Sequence, residues 1–163
     1  MLGVALVAPW AGLVPAGVIP QAAPNPIVFD RSATNDNLVV LMAAASDYTD
    51  SLTLLNSGPS VYPAHFWFNN FSTTNQSMAW TVSLATGAVY HVYAKLSAGA
   101  ALPLQLSLTG TNTALNFTTR NIGWDKLDCG TISFPPGTNQ LVLRRNTADT
   151  NDAISIISLE LIR

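Results

Sequence analysis

Four aromatic side chains in or near predicted loops, Tyr62, His65, Trp67 and Trp124, have the types best suited to ligand chemistry. An aromatic ring stacks on the apolar C–H face of a sugar, while Asn, Asp or Arg side chains beside it bind the sugar hydroxyl groups. Large aromatic residues are mostly buried in proteins, so packing in the core or in a loop is the competing interpretation for each. Trp80 differs, because it lies on the apolar face of a predicted strand and is expected in the core.

Oxygen ligands are concentrated in the segment Asp149-Thr150-Asn151-Asp152. Calcium prefers oxygen ligands, which makes Asp149 and Asp152 candidates for a calcium site. The segment lacks the spacing of an EF-hand and a distant bidentate Glu, so a polar turn is the competing interpretation. We expect no cofactor, with calcium as the open alternative, and we interpret Asp125 and Asp128 as loop carboxylates.

The sequence offers little for catalysis. Its two histidines are His65 and His91, and its one glutamate, Glu160, lies inside the last predicted strand. No nucleophile elbow, metal-binding His pair or phosphate-binding loop occurs, whereas acid/base catalysis requires groups placed together. The sequence therefore predicts that the protein is not an enzyme.

The single cysteine, Cys129, excludes an intrachain disulfide. It lies on a predicted strand between Asp128 and Gly130, and free cysteines of this kind are usually buried. We expect it to be a small packing residue.

Three Asn-X-Ser/Thr patterns are candidate N-glycosylation sites, at Asn70, Asn75 and Asn116. Such triplets also arise by chance in a chain rich in Asn and Thr. The first two lie in one predicted loop, which favours a secreted protein with a glycan-bearing surface.

Charge is scarce in this chain of 163 residues, of which 10% are charged, against about 25% in typical soluble proteins. Seven Lys and Arg residues leave no basic cluster beyond Arg144-Arg145, so nucleic acid is not expected as a partner. The same shortage argues against an anionic membrane surface. A polar but barely charged surface suits an extracellular or cell-surface protein, or one that buries much of its surface in an assembly.

The first 29 residues carry no charged side chain and contain five prolines. Proline interrupts a helix, so a transmembrane span is not expected, and an atypical signal peptide remains an alternative. We interpret residues 1–29 as an extended apolar arm and 30–37 as a linker. The apolar side chains with which this arm could dock onto another copy are Val4, Leu6, Val7, Trp10, Leu13, Val14, Val18 and Ile19.

From residue 38 to 163, short runs with period-two alternation are separated by Gly, Pro and Asn turns, and no helical stripe is evident. This pattern predicts an all-β domain, an antiparallel β-sandwich of the jelly-roll type. The predicted core consists of Trp80, Val82, Tyr90, Val92, Leu104, Leu106, Ile132, Phe134, Leu141, Leu143, Ile156 and Leu159.

Several segments of this domain occur in the order typical of a known group of proteins. They are Met78-Ala79-Trp80-Thr81-Val82, Gly87-Ala88-Val89-Tyr90-His91-Val92, Gly123-Trp124, Phe134-Pro135-Pro136-Gly137 through Leu143, and Asn151-Asp152-Ala153-Ile154 leading to Leu161. In this the chain resembles carbohydrate-binding modules of families 6 and 35, which are galactose-binding-like jelly rolls. The resemblance implies sugar contacts at Trp124 and Asn151, to which the loop position of Trp67 adds a third candidate. It also implies a structural calcium, although the first strand here lacks the acidic ligand.

Two functions remain open. In the first, the protein is an extracellular structural subunit whose arm docks as an added strand onto a neighbouring copy and builds a filament or lattice. In the second, it is a carbohydrate-binding module of a secreted glycan-active protein. The arm favours the first, since a free binding module has no use for it. The expected partners are therefore copies of itself and glycans, covalent or bound.

Overall fold

The computed structural model describes residues 27–29, 38–49, 51–55, 66–146 and 152–163. In these ranges the chain forms two packed β-sheets with one short 3₁₀ turn, Ala43–Ala45. The predicted all-β sandwich is confirmed. The assembly-arm residues between Val4 and Ile19 lie outside the described ranges, so the arm remains a prediction.

The first sheet, sheet A, has the strand order β1-β6-β11-β8-β9, with β3 pairing alongside β6. Its strands pair antiparallel except β1, which runs parallel to β6. Thus the last residues of the predicted arm add a strand to their own domain. The strands are β1 (Ile27–Phe29), β3 (Asp47–Tyr48), β6 (Ser77–Leu84), β8 (Pro103–Leu108), β9 (Ala114–Thr118) and β11 (Gly137–Arg145).

The second sheet, sheet B, is antiparallel and has the order β10-β7-β12-β5-β4. Two strands pair with the same edge of β12: β5 pairs with its first part and β2 with its second part. The strands are β2 (Leu38–Met42), β4 (Thr53–Leu55), β5 (Trp67–Phe71), β7 (Ala88–Ala98), β10 (Ile122–Phe134) and β12 (Ile154–Ile162).

The core lies between the sheets and follows from the alternation along each strand. In β6 and β8 every second residue is buried, as expected where one face of a sheet packs on another. All the residues predicted for the core are buried, none with more than 3% of its surface exposed. Tyr90 and Phe134 meet edge to face, with ring centroids 5.6 Å apart.

Some residues that were not predicted to form strands do so in the structure. The segment Ala114–Thr118 forms β9 although only Phe117 is buried in it, so its sequence carries little of the alternating signal. Strand β10 begins at Ile122 and therefore contains Trp124, Asp125 and Asp128, which were expected in loops. The irregular pairing between Ile122 and Asp125 hides the period-two pattern there.

Glycine is required where the chain enters β11. Gly137 has φ +97°, a conformation that residues with a Cβ rarely adopt. The side chain of the nearly buried Asn139 donates to the carbonyls of Pro135 and Gly137, each at 3.0 Å. These bonds fix the turn between β10 and β11.

Among the residues that the structure describes, no helix is long and apolar enough to cross a membrane.

The side chain of Trp80 joins the two sheets by a hydrogen bond. The indole N–H of Trp80, on β6 of sheet A, donates to the carbonyl of Met42, on β2 of sheet B, at 2.9 Å. We expect Trp80→Phe to lower the free energy of unfolding by about 1–3 kcal/mol, since it leaves that carbonyl without its donor. Urea unfolding measures this loss. Trp124→Phe removes the same group from a half-buried ring and serves as the matched control; equal losses would contradict the role of the bond.

Candidate functional site

Two predicted sugar-contact residues from distant parts of the sequence meet on the outer face of sheet B. Trp67 begins β5 and Trp124 lies near the start of β10. Their ring centroids are 5.2 Å apart and their planes cross at 88°, an edge-to-face contact. Both side chains are half-buried, so part of each ring faces solvent. We call Trp67 and Trp124 the indole pair.

The sheet itself explains why residues so far apart in sequence can touch. Strands β10 and β5 are separated by β7 and β12, so their backbones lie three strand spacings apart, about 14 Å. Two indole side chains span that gap only if the residues between them are small. Two small residues, Ser97 on β7 and Ser155 on β12, face each other in register on the strands between.

A row of polar groups crosses the sheet beside the indole pair. The hydroxyl of Ser155 donates to Oδ1 of Asn69 at 3.2 Å, and the hydroxyl of Ser97 donates to the carbonyl of Ile122 at 3.4 Å. All three side chains are half-buried and uncharged. We call Asn69, Ser97 and Ser155 the polar row. Its groups can both donate to and accept from a hydroxylated ligand.

A buried apolar residue, Ile157, lies next to Trp67 in the strand register. A bulge in β12 inserts Ile157, which is completely buried but is not part of the core between the sheets. The register that pairs Phe68 with Ile156 brings Trp67 alongside Ile157.

The indole N–H of Trp67 is buried and has no hydrogen-bond partner in the described part of the chain. Such a group costs about 1–3 kcal/mol. Its ring neighbour, Trp124, can offer only its π face, a weak acceptor. The next residue toward the N-terminus, Phe66, has 41% of its surface exposed.

A second cluster lies further along the same face, on β7 and β10. Nε2 of His91 is 2.6 Å from Oδ1 of Asp128, and the His91 ring stacks on Tyr93 with centroids 4.8 Å apart. The hydrogen bond from His91, followed by that from the Gly130 amide, holds the pKa of the Asp128 carboxyl below its usual value. This contact between His91 and Asp128 lies on an open strand surface, where such exposed pairs add little stability.

A nearly buried carboxylate completes this face. Glu160, on β12, has 6% of its surface exposed and lies 3.7 Å from Nζ of Lys95 and 2.5 Å from Nζ of Lys126. Two ammonium groups surround one carboxylate, which compensates its charge where solvent is excluded. This glutamate is thus engaged with lysines rather than placed opposite another carboxylate.

Cys129 occupies the bulge between Asp128 and Gly130 and is buried. Burial raises the pKa of its thiol to about 12, so it stays protonated at neutral pH. The structure places it as the small packing residue that the sequence suggests.

The structure describes only some of the other predicted site residues. Asn151, Asp149, Tyr62 and His65 lie outside the described residues. Asp152 is half-buried beside Gly99, and no group of three or more His, Cys, Asp or Glu side chains in the described ranges could hold a metal ion. The calcium alternative thus stays a prediction.

The three glycosylation candidates are all exposed, but not all in a loop. Asn70 lies within β5 with φ +61°, Asn75 lies in the turn that follows, and Asn116 lies on β9. Oδ1 of Asn116 accepts hydrogen bonds from Gln105 and Asn146 at 3.0 and 3.3 Å.

Sequence comparisons do not identify the chain, since no protein-family model and no curated protein sequence matches it. Solved structures do resemble it. The C-terminal family 6 carbohydrate-binding module of the laminarinase LamC from Zobellia galactanivorans is 13% identical, with a TM-score of 0.62; the match covers 78% of this chain and 100% of that one.

A β-(1,4)-mannanase of Podospora anserina with a family 35 module is 15% identical, with a TM-score of 0.64; 78% of this chain matches 28% of that one. The mosquito-larvicidal toxin Cry4Aa of Bacillus thuringiensis is 14% identical, with a TM-score of 0.60, over 77% of this chain and 23% of the toxin. These likenesses confirm the predicted fold, the jelly roll of carbohydrate-binding modules of families 6 and 35.

The contact between His91 and Asp128 predicts a measurable titration. We expect His91→Ala to raise the pKa of Asp128 toward its ordinary value of 3.8, but not fully, because the Gly130 amide still donates to the carboxylate. The stability that the lowered pKa contributes is complete above the unfolded value and is lost as pH falls through the folded value. Carboxyl-detected NMR measures the pKa of Asp128 in the unaltered chain and in the variant. An unchanged Asp128 pKa in the variant would contradict the pairing.

Proposed function

We propose that this chain is a non-catalytic carbohydrate-binding module of a secreted or cell-surface protein, and that the indole pair is its sugar-contact surface. The observation that carries the proposal is the meeting of Trp67 and Trp124 across four strands of an outer sheet face. Core packing does not require this contact, because both rings lie outside the space between the sheets. A half-exposed aromatic surface on a rigid sheet is suited to a flat apolar ligand face.

The geometry of the indole pair favours a sugar that stacks on one side of the pair over a sugar enclosed between the two rings. In an edge-to-face pair, one indole presents its edge to the face of the other, so a sugar ring cannot lie sandwiched between them. The sugar would stack on the solvent-facing side of the pair, and its hydroxyl groups would reach the polar row. Those groups carry no charge, which suits a neutral sugar better than an acidic one.

The fold alone does not decide between functions, since an insecticidal toxin shares it. The modules from the laminarinase and the mannanase are named as carbohydrate-binding. Support for the same role in this chain therefore comes from its own outer-face residues together with the likeness to those modules.

The indole pair provides the direct test. On a glycan array and by isothermal titration, we expect Trp124→Ala and Trp67→Ala each to weaken binding by at least tenfold, about 1.4 kcal/mol, since buried aromatic contacts dominate such interfaces. Tyr93→Ala, an aromatic truncation on the same face outside the pair, is the matched control. Absence of binding by the unaltered chain, or equal losses in all three variants, would contradict the proposed site.

Self-assembly through the arm is the second candidate. The observation in its favour is β1, which shows that the end of the apolar run can add to the edge of a sheet. That sheet belongs to the same chain, so the pairing supports strand addition but not exchange between copies.

Deletion of Met1–Pro20 tests the arm. If the arm links neighbouring copies, the truncated chain should no longer form assemblies larger than a dimer in sedimentation velocity. Retention of the same large assemblies after deletion, with the fold verified by circular dichroism, would contradict the arm hypothesis.

A further inference from the structure

Exposed aliphatic side chains are concentrated at one margin of sheet B. Leu38 and Val40 on β2 are 53% and 44% exposed, and Ile162 on β12 is 37% exposed. Ile162 faces Leu38 in the pairing register, and Glu160 faces Val40. The three aliphatic side chains therefore form one patch on the outer face, which we call the β2 patch.

Strand β2 also lacks the features that normally prevent pairing with another chain. In the described residues it pairs with β12 alone, and it contains no charge, proline, glycine or bulge. Uncharged, regular edge strands are templates for strand addition. The margin at β10 differs, because it has two bulges and the exposed charges Asp125 and Asp128.

We propose that β2 pairs antiparallel with β2 of a second copy of this chain, which joins the two B sheets across a two-fold axis at Val40. This interface is separate from the indole pair and from the arm. It forms a closed dimer rather than a filament, because the same strand is used by both copies.

The alternation along β2 determines the register of this pairing. Directly opposed residues of antiparallel strands project on the same face, so exposed residues must meet exposed ones. The exposed positions are Leu38 and Val40, with Met42 half-buried, and the core positions are Val39 and Leu41. The register that pairs the whole strand places Val40 opposite Val40, Leu38 opposite Met42 and Val39 opposite Leu41. All five residues then keep their faces.

Charge favours a second copy over a charged partner. The strand is uncharged, and the charged side chain nearest to it in register, Glu160, is compensated by Lys95 and Lys126. Neither β2 strand brings a charged side chain of its own to this pairing, and an acidic or basic partner would find no opposite charge on the strand. One five-residue strand pair is small beside the roughly 1,200 Å² of a stable interface, so the dimer should depend on protein concentration.

Charge placed on the axis tests the pairing. Val40→Lys sets two ammonium groups opposite each other and is expected to raise the dimer dissociation constant by about tenfold or more in sedimentation equilibrium. Val89→Lys is the matched control, since Val89 is 56% exposed on the same face but lies on β7. We expect the control to dimerise like the unaltered chain.

A cysteine on the axis gives a second measurement that does not depend on folding stability. Opposed residues of antiparallel strands have Cα atoms about 4.5–5.5 Å apart, within the range that a disulfide spans. We therefore expect Val40→Cys to form a covalent dimer on mild oxidation, and Val89→Cys to form none. The native Cys129 is buried and should not interfere.

The outcomes separate this proposal from the others. A chain that stays monomeric at high concentration, together with Val40→Cys that crosslinks no faster than Val89→Cys, would overturn it. Association that is lost both in Val40→Lys and on deletion of Met1–Pro20, without crosslinking through Val40→Cys, would make the arm the occupant of this edge and would also overturn it. Glycan binding by the indole pair is measured separately.

Discussion

The burial of alternate side chains between two sheets is the constraint on which the remaining structure depends. It requires every second residue of β6, β7 and β8 to face inward, and it thereby assigns all other side chains of these strands to one of two outer faces. The Trp80 hydrogen bond to Met42 and the Arg145 hydrogen bond to the Phe71 carbonyl connect the two sheets. Because the core is filled from both sides, the outer faces are rigid surfaces on which ligand-binding side chains can vary without loss of the fold.

Sheet B uses its outer face in three different ways. The indole pair and the polar row occupy one end, where small serines leave room for two large rings. The middle carries Glu160 between two lysines, and the other end carries stacked His91 and Tyr93. This division explains how one fold can occur both in sugar-binding modules and in a toxin, because none of these groups contributes to the core between the sheets.

The two edge strands of sheet B, β10 and β2, differ in how readily they would pair with another chain. Bulges and charges interrupt β10, which discourages pairing with another chain, whereas β2 is regular, apolar and uncharged. Bulges also determine which residues become neighbours at the candidate site. The irregularity before Asp125 aligns Trp124 with Ser97, and the bulge in β12 places Ile157 next to Trp67 in the register. Interrupted pairing thus shapes the candidate site as well as the edge.

The sequence by itself determined the fold class and the core, because period-two burial is a local signal and residues such as Trp80, Leu104 and Leu143 follow it strictly. It also singled out Trp67 and Trp124, but as separate loop residues. Strand β9 was missed, since its half-exposed edge position leaves little alternation to read. That the two indoles touch, and that Ser97 and Ser155 lie between their strands, was decided only by the tertiary structure. The reason is that strand order and bulge positions depend on pairing between segments far apart in the chain, and local composition carries no record of which strands become neighbours.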